Sequence, residues 1–156
     1  MPQDQVQRDI IARMKLIPND EIIRGQRIIF LDDSIVRGTQ LKDCARELRL
    51  AGATEVHMRI ACPPLLFPCI FLNFSQSRSI YELAGRKAIK QIEEEGKDII
   101  EYTDPDSPKH REMISRITKN LGLDSLMYQR LDDLVRAIGL PKENLCTHCW
   151  DGSGYF

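Results

Sequence analysis

Along residues 27–62 the hydrophobic pattern changes period twice. Ile28, Ile29, Phe30 and Leu31 are four consecutive apolar residues, the signature of a buried strand. After Gly38, the residues Leu41, Cys44, Ala45, Leu48 and Ala51 recur at helical spacing, giving one apolar stripe on a helix of about 12 residues. Gly52 stands where a helix-terminating glycine belongs. Val56, Met58 and Ile60 then alternate with His57 and Arg59, which predicts a second strand over residues 55–61. Strand, helix, strand is one βαβ unit, so the sheet is expected to be parallel with a right-handed crossover.

Cys62-Pro63-Pro64 ends the second strand, because proline supplies no ladder donor. The apolar run over residues 65–72 must be buried or face a partner. Ser79-x-x-Glu82 reads as a capping box opening a helix through Ile80, Leu83, Ala84, Ala88 and Ile92. Glu93-Glu94-Glu95 then reads as its solvated end, and Gly96 stops it. Residues 98–102 are expected to form a short strand and 104–107 a turn. Ser107-Pro108 supplies an N-cap and first helical residue. Met113, Ile114, Ile117 and Leu121 form that helix's stripe, and Gly122 ends it. A short strand over 125–128 and a helix over 131–138 follow, the latter broken by Gly139-Leu140-Pro141. Residues 1–16 are a mostly polar arm, and 18–25 a connector. There is no repeat, no low-complexity tract and no interdomain linker.

Composition narrows the class only a little. A chain of 156 residues is one domain by size, with room for a core. A net charge of −1 gives no basic field for nucleic acid. No apolar run approaches the roughly 18 residues of a membrane span, and no secretory leader pattern is present; the default expectation is cytoplasmic. The cysteines are Cys44, Cys62, Cys69, Cys146 and Cys149, which in a reducing compartment would not form a disulfide framework. Cys44 falls on the apolar side of its helix, and His57 reads as a half-exposed structural residue.

The chemistry concentrates where the first strand ends: Asp32-Asp33-Ser34-Ile35-Val36-Arg37-Gly38-Thr39-Gln40. In an open α/β sheet the ligand crevice lies at the carboxyl ends of the strands. Residues 34–39 offer successive backbone N–H groups, two hydroxyls and a following helix N-terminus, which together suit a phosphate. Asp32 and Asp33 are acceptors suited to hydroxyls or a divalent metal. A phosphate cup with a carboxylate pair at its rim describes a phosphorylated sugar. A buried strand followed by an acidic turn and a helix cap is the plain structural alternative.

The run from Ile28 to Gln40 resembles the phosphoribosyl-pyrophosphate (PRPP) signature of type I phosphoribosyltransferases, and Asp-Asp-Ser-Ile-Val-Arg-Gly-Thr is similar to its amidophosphoribosyltransferase branch. That resemblance implies an α/β, parallel-sheet, type I phosphoribosyltransferase-like (Rossmann-like) domain. The domain is incomplete and carries a C-terminal helical, cysteine-containing segment. Within it, residues 27–62 would be the PRPP-binding βαβ unit and 107–156 the C-terminal segment. Residues 1–16, through Gln5, Arg8, Lys15 and Leu16, resemble the tail of a loop that closes over the substrate.

By the same resemblance Asp32 and Asp33 would take the ribose hydroxyls and help hold Mg²⁺. Ser34, Val36, Arg37, Gly38, Thr39 and Gln40 would cradle the 5-phosphate, with Lys15 as an electrostatic contact from the loop. Gln40 stands where relatives commonly carry threonine. The departure is larger at Phe71-Leu72-Asn73-Phe74, where relatives usually continue Tyr-Gly-Ile-Asp. The implied reaction of the intact enzyme is attack of glutamine-derived ammonia on PRPP, giving 5-phosphoribosylamine and pyrophosphate in purine synthesis.

Cys146-Thr147-His148-Cys149 is a C-x-x-C, and two thiolates at that spacing supply half of a four-ligand metal site. Glu143-Asn144-x-Cys146-x-x-Cys149-x-x-Gly152 resembles the end of the cluster-bearing amidophosphoribosyltransferases. The resemblance implies that Cys69, Cys146 and Cys149 are ligands of a [4Fe–4S] cluster whose fourth cysteine lies upstream of these residues. Cys62 or His148 could instead complete a zinc site, or the thiols could hold no metal. The glutaminase domain and the pyrophosphate-binding loop of the family are not among these 156 residues. The chain alone is therefore expected to be inactive, and its sheet to be completed by that missing part or by self-association. Two other readings stay open: a non-catalytic PRPP-binding regulator of the same fold, and a metal-stabilised interaction module.

Overall fold

The computed structural model describes residues 18–69, 71, 79–93 and 99–154. Three strands form the sheet: β1 (Arg27–Asp32), β2 (Glu55–Ile60) and β3 (Ser125–Tyr128), in the order β1-β2-β3. Both pairings are parallel, with Arg27 opposite Glu55 and Ile60 opposite Tyr128. Helix α1 (Asp20–Ile23) precedes β1, and α2 (Thr39–Leu50) joins β1 to β2. Helices α3 (Ala84–Ile92) and α4 (Pro108–Leu121) lie between β2 and β3. Helices α5 (Leu131–Ile138) and α6 (His148–Asp151) follow.

The core lies between the sheet and the helices on one of its faces. Val56, Met58 and Ile60 from β2 and Leu126 from β3 pack with Ala45 and Leu48 of α2 and with Met113, Ile117 and Leu121 of α4. Ile28 and Phe30 complete that face from β1. The opposite face is open among the described residues. Ile29 is 60% exposed, Leu31 75% and Met127 59%. The buried strand expected over 28–31 is therefore covered on one face among the described residues, through Ile28 and Phe30. As an edge strand, β1 also leaves one row of backbone groups without a strand partner among the described residues.

Local chemistry explains the element ends. Ser107 Oγ accepts from Lys109 N at 3.1 Å with Pro108 in the first turn, and Gly122 closes α4 at φ 71°. Three expectations change. Residues 18–25 include the one-turn α1, capped by Asn19, whose Oδ1 accepts from Glu21 N at 3.1 Å. Ser79 caps only a 3₁₀ turn, Ile80–Glu82, because buried Leu83 is extended (φ −65°, ψ 130°) and separates that turn from α3. Glu82 is turned toward Arg37 at 3.0 Å, leaving the capping box without its reciprocal arm. Ile100–Tyr102 is likewise a 3₁₀ turn rather than a strand; Tyr102 is fully buried, and its carbonyl accepts from His110 Nδ1 at 2.7 Å.

Of the apolar run over 65–72, Leu65, Leu66 and Cys69 are buried while Phe71 is 64% exposed. Residues 1–17 with Lys15, the departure at 72–74, Glu94 to Gly96 and Asp98 lie outside the described residues. No helix among the described residues is long and apolar enough to cross a membrane.

Candidate functional site

The loop after β1 is fixed at both ends and in the middle. At its start, Asp32 O accepts from Ala61 N at 3.0 Å, tying the strand end to the turn after β2. Asp32 Oδ1 accepts from Asp33 N at 3.0 Å, and Asp33 Oδ1 from Ser34 Oγ at 3.2 Å. Ile35 is 2% exposed and plugs the loop into the core. Val36 O accepts from Ala84 N at 2.8 Å, and Arg37 is ion-paired with Glu82. Gly38 closes the loop at φ 78°, and its carbonyl takes the first helical bond from Lys42 N at 3.0 Å.

Gly38 is required twice over. Its φ lies in the left-handed region that side chains disfavour. A β-carbon there would also sit 2.9 Å from Leu121 Cδ2. Asp32 is half-buried, Asp33 is exposed, and neither forms an ion pair among the described residues. The carboxylates are thus left open at the strand end, beside a loop whose amides precede the 12-residue α2. The side chain of Arg37 points to Glu82, so its share in any anion contact falls to its backbone.

The cysteines gather only in part. Cys69 is buried, with Cys149 half-buried near it. Burial, with the nearby sulfur of Cys69, pushes the Cys149 thiol up to about 11. Cys146 is exposed beside them. His148 Nδ1 donates to Ser153 O at 2.8 Å, and its ring stacks obliquely on Phe67 with centroids 5.9 Å apart. No group of three or more His, Cys, Asp or Glu among the described residues has metal-holding geometry. As placed, Cys69, Cys146 and Cys149 do not fit a cluster or zinc as a ligand set.

Other predicted residues settle into structural positions. His57 bonds Ser125 Oγ (2.8 Å) and Glu55 Oε2 (2.7 Å), as a structural residue would. Cys44 is half-buried, its thiol raised by burial and then by the charge of Asp32. Sequence reasoning missed one contact that frames the loop, Glu82 with Arg37. It joins residues far apart in the chain, and no local spacing signals it.

No known family model matches the chain. Over 149 residues, 95% of this chain, it is 36% identical to the amidophosphoribosyltransferase of Mycobacterium tuberculosis, covering 24% of that protein. Over 148 residues it is 37% identical to the amidophosphoribosyltransferase of Methanothermobacter thermautotrophicus, covering 26% of it. The chain belongs to the amidophosphoribosyltransferase family. It corresponds to a C-terminal part of that family and spans about a quarter of the length of these curated relatives. A solved structure of the glutamine PRPP amidotransferase of B. subtilis, complexed with ADP and GMP, superposes with a TM-score of 0.67 at 27% identity. The match covers 99% of this chain and 29% of that one. The amidophosphoribosyltransferase portion seen here is accordingly α/β, with the parallel sheet of a type I phosphoribosyltransferase fold.

Proposed function

We propose that this chain is the PRPP-binding part of an amidophosphoribosyltransferase, the enzyme that converts PRPP and glutamine-derived ammonia to 5-phosphoribosylamine in purine synthesis. The observation that carries the reading is the carboxylate pair: Asp32 and Asp33 sit at a strand end without ion-pair partners among the described residues, next to a loop of amides held in shape by Ile35, Val36 and Gly38. Asp32 and Asp33 accept the ribose hydroxyls. Ser34 and Thr39 donate hydroxyls to the 5-phosphate, and the backbone amides of Val36, Arg37 and Gly38 with the N-terminus of α2 hold its charge. Gln40, in the first turn of α2, can donate through its amide, and Lys15 is the proposed contact from the closing loop.

Two adjacent carboxylates are hard oxygen donors of the kind Mg²⁺ takes, so Asp32 and Asp33 fit that metal. Bound there, Mg²⁺ would neutralise charge on the pyrophosphate leaving group. This chain's own share is to bind and orient the sugar phosphate; no residue among its own is assigned as acid, base or nucleophile. The cysteine segment carries no step. Its cluster, as the family resemblance implies it, requires Cys146 to turn inward and a fourth ligand from outside these residues.

The open face of Ile29, Leu31 and Met127 supports a partner on that side. We assign it to the remainder of the transferase domain, with the glutaminase domain beyond, and to homo-oligomerisation when that part is missing. A cytoplasmic setting fits a reaction between small soluble metabolites.

Calorimetry with PRPP and Mg²⁺ tests the core of this reading. Asp32→Asn combined with Asp33→Asn is expected to abolish the binding heat. Unchanged affinity in the double variant would leave only a structural role for the segment. Ammonia-dependent pyrophosphate release by the full-length protein separates an enzyme from a non-catalytic PRPP sensor.

A further inference from the structure

A narrow cleft opens beside the loop after β1, lined by residues of α2, α3 and α4. Thr39 and Lys42 come from α2, Lys87 and Gln91 from α3, and Ile117 and Leu121 from α4. The two α4 residues are 1% and 5% exposed, so this part of the lining is apolar core. The cleft holds about 140 Å³, well under the roughly 300 Å³ at which small-molecule pockets begin. Such a space suits a group of a few atoms at one end of a larger ligand.

The polar groups left open in the cleft are donors. No Asp or Glu lines it. Asn120 Nδ2 donates to Gln91 Oε1 at 2.9 Å, which occupies the acceptor end of that amide and leaves its NH₂. The ammonium groups of Lys42 and Lys87 and the hydroxyl of Thr39 have no partner among the described residues. A phosphoryl group presents three strong acceptor oxygens and nearly two negative charges at neutral pH. The loop after β1 does not balance that charge by itself. It sets the carboxylates of Asp32, Asp33 and Glu82 against one guanidinium, that of Arg37, which lies 3.0 Å from Glu82.

We infer that Lys42 and Lys87 are specificity-determining residues for the phosphoryl group: from the cleft beside the loop they supply the positive charge that the loop lacks. This rests on the PRPP reading for the molecule that carries the group, though not for the recognition of phosphate itself. The amides of the loop fix where the oxygens sit, and the two lysines select a dianion over a neutral hydroxyl. The apolar part of the lining lowers the local dielectric, so each ammonium acts more strongly here than on open surface.

The 156-residue chain is titrated by calorimetry with inorganic phosphate and, separately, with PRPP and Mg²⁺, each at low and high salt. Lys42 and Lys87 are exposed, so Lys42→Gln and Lys87→Gln should leave the melting temperature unchanged. Each is expected to weaken phosphate and PRPP on the order of 5-fold and to flatten the salt dependence of binding. Lys42→Arg and Lys87→Arg keep the charge and should keep the affinity, a rescue that lost packing alone would not give. Lys90→Gln, on α3 but outside the cleft, removes the same charge and should change neither affinity. Phosphate that gives no heat with the parent chain overturns the proposal, as does an equal loss in Lys90→Gln. PRPP binding unaffected by both Gln variants refutes the lysine assignment and leaves the PRPP reading standing. Phosphate binding that depends on both lysines, with no heat from PRPP, keeps the cleft and removes the PRPP reading.

Discussion

Replacing Gly38 by alanine probes the loop at its most constrained point. At φ 78° a β-carbon costs about 1–2 kcal/mol, because it crowds the following carbonyl. The new methyl would also meet Leu121 Cδ2 at 2.9 Å. That atom ends a side chain and can give way, but Leu121 is 5% exposed and packed in the core, so the low end of overpacking, about 1 kcal/mol, applies. Stiffening of the unfolded chain offsets about 0.4–1 kcal/mol. The net loss is about 2 kcal/mol, which lowers the melting temperature by about 4–8 °C in a domain of this size. Urea unfolding with an unchanged m-value is the assay. In a Leu121→Ala background the steric part disappears, and the penalty of Gly38→Ala should fall to about 1 kcal/mol. The reasoning is refuted if the penalty is equal in both backgrounds, or is below about 0.5 kcal/mol in the parent.

Three further outcomes are expected. Asp124 Oδ2 accepts from Val56 N (2.6 Å) and pairs with Arg49 (2.7 Å); the Val56 amide first, and the Arg49 guanidinium after it, hold its carboxyl below the usual range. Its contribution is therefore present above the unfolded carboxylate value near ~4 and fades as pH falls through the lower folded value. Asp124→Ala should remove about 1 kcal/mol after solvent screening, measured by unfolding at neutral pH, and flatten the acid limb of the stability curve. Leu31→Lys, at a position 75% exposed, should leave stability within about 0.5 kcal/mol while reducing self-association in light scattering. A monodisperse monomer of the unaltered chain would count against the open-face argument. Iron, sulfide and zinc analysis of anaerobically purified chain should return less than one site per chain, rising when the longer protein is expressed; a full zinc site in the 156 residues would overturn that.

Much of the βαβ unit was legible because its signals are local. The apolar stripe from Leu41 to Ala51, the alternation from Val56 to Ile60 and the stop at Pro63-Pro64 each need only neighbouring residues. So did the Ser107-Pro108 start and the Gly122 stop of α4. The burial of 28–31 was legible only for Ile28 and Phe30, because a continuous apolar run marks a buried strand and which layers are present is not written in the run itself. Ser79 and Glu82 have capping-box spacing, but Leu83 takes an extended backbone to fill the core and frees Ala84 N for Val36 O. Residues 20–23 make one turn, too few for a period to emerge. At the candidate site, Asp32 to Gly38 could be picked out by residue type and order. The pairing of Arg37 with Glu82 could not, since 45 positions of chain separate them and only packing brings them together.

The bond from Ala84 N to Val36 O and the Arg37–Glu82 pair have a kinetic meaning as well. They brace the loop after β1 from the 3₁₀ turn and the start of α3, which belong to the other crossover, so its curvature is set by the fold itself. If the loop takes the proposed sugar phosphate, that ligand has little chain left to immobilise. Capture by this portion should proceed at an encounter-limited rate, leaving slow, gated steps to whatever segment folds over the top.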